Sequence, residues 1–154
     1  MRTITDHIVE GVEGDSANQL TISVLDEPGA GGANHQYMIA WGEKREKPTI
    51  AELEAMLEKT DGPKPQLWPD GSVTLGQTCF IAFQNGPIKE AGVNGITQEA
   101  LLAVVIDRLR SFQGGPFACA ENGKALNHCE NALYQLQRRT RSRIARGVEG
   151  QTKE

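Results

Sequence analysis

Two apolar-periodic stretches, separated by a single break, dominate the last third of this chain and constrain its fold most. "ITQEALLAVVIDRLRSFQ" (96–113) repeats Leu102, Val105, Leu109 and Phe112 at 3-4-3 spacing, the period of one helical face. Thr97 stands where an N-cap belongs. "GGP" (114–116) interrupts the pattern, and Pro116 suits the first turn of a second helix. That second helix carries Leu126, Cys129, Leu133, Leu136 and Thr140 on one seam and runs to about Arg146, ahead of Gly147, a natural stop. Helices joined by a short connection pack antiparallel, so residues 96–147 predict a helical hairpin. The second helix is the longer one, so its last turns are expected to project past the start of the first and into a neighbouring surface.

The preceding part reads differently. "QLTISVLDE" (19–27) alternates and is rich in β-formers, "PGAGGAN" (28–34) is a loop, and "HQYMIAW" (35–41) is a second strand, an antiparallel pair. "PTIAELEAMLEKTDG" (48–62) predicts a short helix. Thr49 and Glu52 form a capping box there, and Ile50, Leu53, Met56 and Leu57 make one apolar face. "PKPQLWPDG" (63–71) breaks regular structure before "SVTLGQTCFIAF" (72–83) resumes as strand. In "QNGPIKEAGVNG" (84–95), Asn85-Gly86 and Asn94-Gly95 each read as turns supplying positive φ angles. Residues 1–18 are polar and without periodicity, which predicts partial order at best. The expected class is α+β: an N-terminal antiparallel β-sheet with a short helix (19–95), then the two-helix hairpin (96–147) and a tail (148–154).

Charge sits unevenly on this frame. The net charge is -4, yet residues 1–70 hold 13 Asp/Glu against 6 Lys/Arg, and residues 71–154 hold 7 against 10. A pI near 5.4 argues against a protein that coats long DNA or RNA, where counterion release rewards a basic face. It leaves a small anionic ligand open. Cys79, Cys119 and Cys129 are an odd set with no disulfide framework, and no apolar run approaches the roughly 18 residues of a membrane span. The expectation is a soluble protein in a reducing cytoplasm.

The basic excess is concentrated in "QRRTRSRIARG" (137–147). Arg139, Arg143 and Arg146 fall at i, i+4 and i+7, one stripe of the helix, flanked by Arg138 and Arg141. Cations in a last helical turn complement the helix dipole, and composition alone favours that role. Paired guanidinium forks also match phosphate, so a binding role stays open beside it. "EPGAGGANH" (27–35) lacks a P-loop's Lys-Ser/Thr ending and leads into a strand, so it reads as a mobile hairpin tip. Cys129 lies on the apolar seam, and its spacing from Cys119 and His128 does not fit zinc, so the cysteines read as packing residues and no metal or cofactor is expected. No nucleophile–base constellation is present, which weighs against an enzyme. Phe112 and Phe117 bracket the inter-helix break, where an aromatic closes a core or stacks a base. Asn122 can read a base edge or face water, and Gly123 costs its helix about 1 kcal/mol relative to Ala with no local reason.

"FQNGPIKEAGVNGITQEALLAVVIDRLRSFQGGPFACAEN…LQRRTRSRIARGVEG" resembles the phage anti-Thoeris sponge proteins, which share their helical hairpin with shorter anti-CBASS relatives. "LTISVLDEPGAGGANHQYMI" is also similar to the β-rich N-terminal part of the anti-Thoeris branch. The resemblance implies a non-enzymatic, homohexameric binder of cyclic nucleotide immune signals in the cytoplasm of the infected host. Glycocyclic ADP-ribose is the main ligand it implies, and some members also take cyclic di- or trinucleotides. It places Phe112, Asn122, Arg139 and Arg143 in the pocket: the ring stacking adenine, the amide hydrogen-bonding, the arginines gripping pyrophosphate. Ala120 and Gly123 depart from the Arg and Ala usual in the family. Two other functions fit the residues themselves, an enzyme degrading a cyclic nucleotide and an interaction module docking an acidic partner on its Arg stripe.

Overall fold

In the computed structural model, which describes residues 2–9, 20–45, 47–58, 65–67 and 71–149, the alternating stretches of the first half build a five-stranded sheet. Its strands are β1 (Arg2–Ile4), β2 (Leu20–Val24), β3 (Gln36–Arg45), β4 (Pro65–Leu67) and β5 (Val73–Ala82), in the order β1-β2-β3-β5-β4. β2 and β3 form the expected antiparallel pair, with Leu20 opposite Trp41 and Val24 opposite Tyr37. Two strands had no sequence signal. β1 pairs antiparallel with β2, Arg2 opposite Val24, although the polar N-terminal stretch predicts partial order at best; residues 10–18 of that stretch lie outside the described residues. β4 pairs antiparallel with β5, Leu67 opposite Val73, inside the segment read as a break. Its Pro65 sits on an edge strand, where a missing N–H is tolerated.

Val24, Met38, Ala40 and Val73 are buried, together with Ser23 and Thr74, and Leu25 packs against Met38 and Ala40. Gly76 permits the close approach of β5 to β3, because a Cβ there would overlap the Trp41 carbonyl oxygen. α1 (Ile50–Leu57) opens on the expected capping box: the Thr49 N–H donates to Glu52 Oε2 at 2.7 Å and the Glu52 N–H to Thr49 Oγ1 at 3.3 Å. The expected apolar face needs correction. Only Met56 is buried, whereas Ile50 and Leu57 are 75% and 65% exposed; the helix has two turns and, among the described residues, packs chiefly on β4. The expected extension of this helix beyond residue 58 lies outside the described residues.

The chain divides into two units, Met1–Ile81 and Ala82–Glu154. The second opens with a side-chain-stitched loop. The Ile96 N–H donates to the Ala82 carbonyl and the Gln84 N–H to the Ile96 carbonyl, each at 2.8 Å, so residues 84–95 close a ring containing α2 (Ile88–Ala91). Gln84 Nε2 donates to the Gly86 and Gly92 carbonyls, while the Asn94 amide both donates to Asn85 O and accepts from Asn85 N at 2.8 Å. Gly86 has the expected positive φ, +83°, but neither Asn94 nor Gly95 does. Gly95 is required for a different reason: a Cβ would overlap the Phe83 carbonyl and sit 2.6 Å from the Gln84 nitrogen.

α3 (Gln98–Gln113) and α4 (Ala120–Ala145) then pack as the hairpin. Thr97 caps α3 as expected, its Oγ1 accepting from the Ala100 N–H at 3.2 Å. Apolar residues fill adjacent positions on α3, so its period admits two registers, and the packed one centres on Ile106, 2% exposed, with Val105 turned outward at 40%. α4 starts later than Pro116 suggested. Residues 114–119 form a turn in which the Ala118 N–H donates to Gly115 O, and the Gln113 side-chain oxygen accepts from the Cys119 N–H at 3.0 Å. Leu126, Cys129, Leu133, Leu136 and Thr140 make the expected half-buried seam. Gly147, at φ +71°, ends the helix: its N–H donates to Ile144 O and the Val148 N–H to Arg143 O, a Schellman motif.

Candidate anion-binding site

Continuous helix decides how the four candidate residues are distributed. Phe112 is in the last turn of α3 and Asn122 in the first turn of α4, both half-buried at the connected end of the hairpin. Arg139 and Arg143 lie much further along α4, about 26 and 32 Å from Asn122 at 1.5 Å per residue. The structure therefore places two candidates near each end of α4, and one copy of the hairpin does not assemble all four.

At the connected end, the Arg108 guanidinium carbon lies 5.0 Å from the centroid of the Phe112 ring, a cation–π contact that occupies one face. Asn122 donates its backbone N–H to Cys119 Sγ at 3.4 Å, so a thiol serves as N-cap of α4. The surroundings of Gly123 do not demand a glycine, since its one close neighbour is the end of a flexible side chain. A Cβ there would stand 2.9 Å from Gln113 Nε2, the amide whose oxygen holds the Cys119 N–H. Further along the hairpin, Arg110 of α3 clasps Glu130 of α4 with Nη2 at 2.6 Å and Nε at 3.1 Å from the same carboxylate oxygen.

At the far end the arginines are not equivalent. Arg139 is exposed, as are Arg138, Arg141 and Arg146, with Arg141 standing 5.7 Å over the Tyr134 ring. Arg143 falls on the packed seam, and its side chain is 21% exposed. Nε donates to Glu149 Oε2 and Nη2 to the Val148 carbonyl, both at 3.1 Å. A shallow groove beside this last turn is lined by Lys89, Ile144, Gly147 and Glu149. Lys89 and Glu149 were not candidates in the sequence. A lone lysine on a four-residue helix and an acid beyond a helix stop carry no pattern.

The other motifs settle into structural roles. The glycine-rich loop closes the β2–β3 hairpin around Asp26, whose carboxylate accepts from the His35 N–H at 2.8 Å and the Gln36 N–H at 3.1 Å. Burial pushes the Asp26 pKa up, but these backbone donors outweigh it and hold the group below the usual carboxylate range. Asn34 Nδ2 adds a 2.7 Å bond to the Asp26 carbonyl. Cys79 and Cys119 are exposed, which corrects their reading as packing residues; Cys129 is half-buried on the seam. Among the described residues no cluster of three or more His, Cys, Asp or Glu side chains is placed to hold a metal ion, and no helix is long and apolar enough to cross a membrane.

Fold and site together define a two-helix hairpin domain joined to a small antiparallel sheet, α+β overall, with an aromatic–amide pair at one end of the hairpin and guanidinium groups at the other. Residues 76–141, which take in most of the helical unit, match the family model of the Acb2/Tad1 hairpin domain. The match takes in Phe112, Asn122 and Arg139 and stops just short of Arg143. The chain is also 47% identical, over 75 residues, to "Thoeris anti-defense 1" of Bacillus phage SBSphiJ7. That alignment covers 49% of this chain and 53% of the relative, so the chain spans about half the length of the curated relative it matches.

Proposed function

We propose that this chain is a phage anti-defence protein that binds and sequesters cyclic nucleotide immune signals without cleaving them, in the cytoplasm of the infected bacterial host. Glycocyclic ADP-ribose is its main ligand, with cyclic di- or trinucleotides as further ones. The observation that supports this reading is the placement of the four candidate residues at the two ends of a hairpin that matches the Acb2/Tad1 hairpin family model. Two copies laid head to tail unite a ring and an amide from one with two guanidinium groups from the other. The protein therefore works as a homo-oligomer, six copies by analogy with the family.

Each group has one task in such a site. Phe112 stacks the adenine and Asn122 hydrogen-bonds a polar edge of the ligand. Arg139 and Arg143 take the pyrophosphate in charge-assisted bonds. A ring, an amide and two guanidinium groups bind and orient; none is a nucleophile or a base near neutral pH, which supports sequestration over turnover. Incubation with glycocyclic ADP-ribose followed by heat denaturation tests the reading. Recovery of intact ligand is expected. Recovery of a degraded ligand indicates an enzyme, and failure to retain any cyclic nucleotide leaves an interaction module for an acidic partner.

A further inference from the structure

We infer that Glu149 is an internal competitor for the ligand's phosphate, holding Arg143 when the site is empty and releasing it on binding. The inference rests on Arg143 being a ligand-binding residue, as proposed above. It starts from backbone geometry. The Schellman turn at Gly147 folds the chain back over the last turn of α4 and delivers Val148 and Glu149 to a single side chain. The Glu149 carboxylate takes the Nε edge of the guanidinium at 3.1 Å and the Val148 carbonyl takes Nη2 at 3.1 Å. Carboxylate and phosphate oxygens seek the same planar fork, so an incoming phosphate meets an edge already held by an anion.

The held state is one the protein can leave. Glu149 is 40% exposed, so water can solvate the carboxylate once it lets go. Lys89 lines the same groove as Glu149 and offers the displaced carboxylate a second cation. Glu149 thereby lowers affinity for weak anions such as free phosphate, while a ligand anchored elsewhere in the site still displaces it. Specificity then comes from a cost placed on every anion and overcome by the one with further contacts.

Calorimetric titration of the full chain with inorganic pyrophosphate, on the parent and on Glu149→Gln, Glu149→Ala, Arg143→Ala and the Arg143→Ala/Glu149→Ala double variant, tests this. Removing the competing charge is expected to tighten pyrophosphate binding about three- to tenfold in both Glu149 variants, the range of a half-exposed charge pair. The effect should vanish in the Arg143→Ala background, where no guanidinium remains to compete for. A gain of binding does not arise from a misfolded variant. Weaker binding in Glu149→Ala, or the same tightening without Arg143, overturns the inference and makes Glu149 a positioning residue or a diffuse charge. If Arg143→Ala binds like the parent, or neither the parent nor any variant binds pyrophosphate, the proposed arginine site itself falls.

Discussion

Arg139 and Arg143 share a helical stripe, yet truncating them should separate binding from stability. Arg143→Ala removes a guanidinium held on two sides beyond the Schellman turn, at Glu149 Oε2 and at the Val148 carbonyl, from a side chain 21% exposed. A half-exposed charge-assisted contact of this kind contributes about 0.5–1.5 kcal/mol once solvent screening is counted. For a chain of this size that lowers the melting temperature by roughly 1–5 °C. Arg139 is exposed, and its truncation to Ala, the best helix former, should leave the melt within about 1 °C of the parent. Both variants should lose about ten- to a hundredfold in affinity for glycocyclic ADP-ribose, the loss of one charge-assisted bond of about 1.5–3 kcal/mol. Arg139→Lys should also bind less tightly, since it keeps the charge but not the fork. Thermal melts and calorimetric titrations of the same preparations supply both readouts. Two variants that bind like the parent while melting lower would show the stripe to be structural, a complement to the helix dipole. Equal melting shifts for both would refute the distinction drawn between them.

Val104 on α3 is 66% exposed, and Val104→Glu should reduce the assembled mass in light scattering while the helical signal in circular dichroism is retained; a parent that is monomeric at micromolar concentration removes the shared site altogether. Gly95→Ala drives a methyl into the Phe83–Gln84 backbone and should lower stability by about 2 kcal/mol or more, read as a shifted denaturant midpoint; an unchanged midpoint would mean that the loop relaxes freely. Asp26 has a depressed pKa in the folded chain, so its contribution is present above the unfolded carboxylate pKa and lost as pH falls through the folded value. Asp26→Asn should therefore destabilise the protein at neutral pH and converge with the parent in strong acid, and parallel melting curves across that range would contradict this.

The legible parts of the fold are those whose signal is local and repeated. The α4 seam from Leu126 to Thr140, the Thr97 cap, the Thr49–Glu52 box and the stop at Gly147 depend on neighbours within a turn or two, and all stand as read. What escaped needed a partner distant in sequence. β1 and β4 are three residues each, too short for a period, and exist because β2 and β5 present edges to them. Ile106 and Val105 are equally apolar, so only packing against α4 chooses between them. Gly95 carries a constraint that points at the Phe83 backbone, invisible when the glycine is read for its own backbone freedom. The candidate residues came from a family resemblance; their division between two ends came from the unbroken length of α4.

That division has a thermodynamic consequence. A site split across copies, as proposed above, would have no affinity of its own in a single chain, and ligand binding and assembly would become one linked equilibrium. Under that proposal a ligand would stabilise the oligomer, and dilution would lower apparent affinity when the interface is weak. The acidic bulk of the chain fits the same logic. Residues 1–70 carry 13 acidic against 6 basic side chains, which keeps long polyanions away from a protein whose arginines are concentrated in one helical stretch. Guanidinium groups displayed on an otherwise neutral surface attract any nucleic acid in the cell. Confined to the end of α4, with Arg143 held by Glu149, they would under the proposed function select for a small anion that brings an aromatic face as well as phosphates.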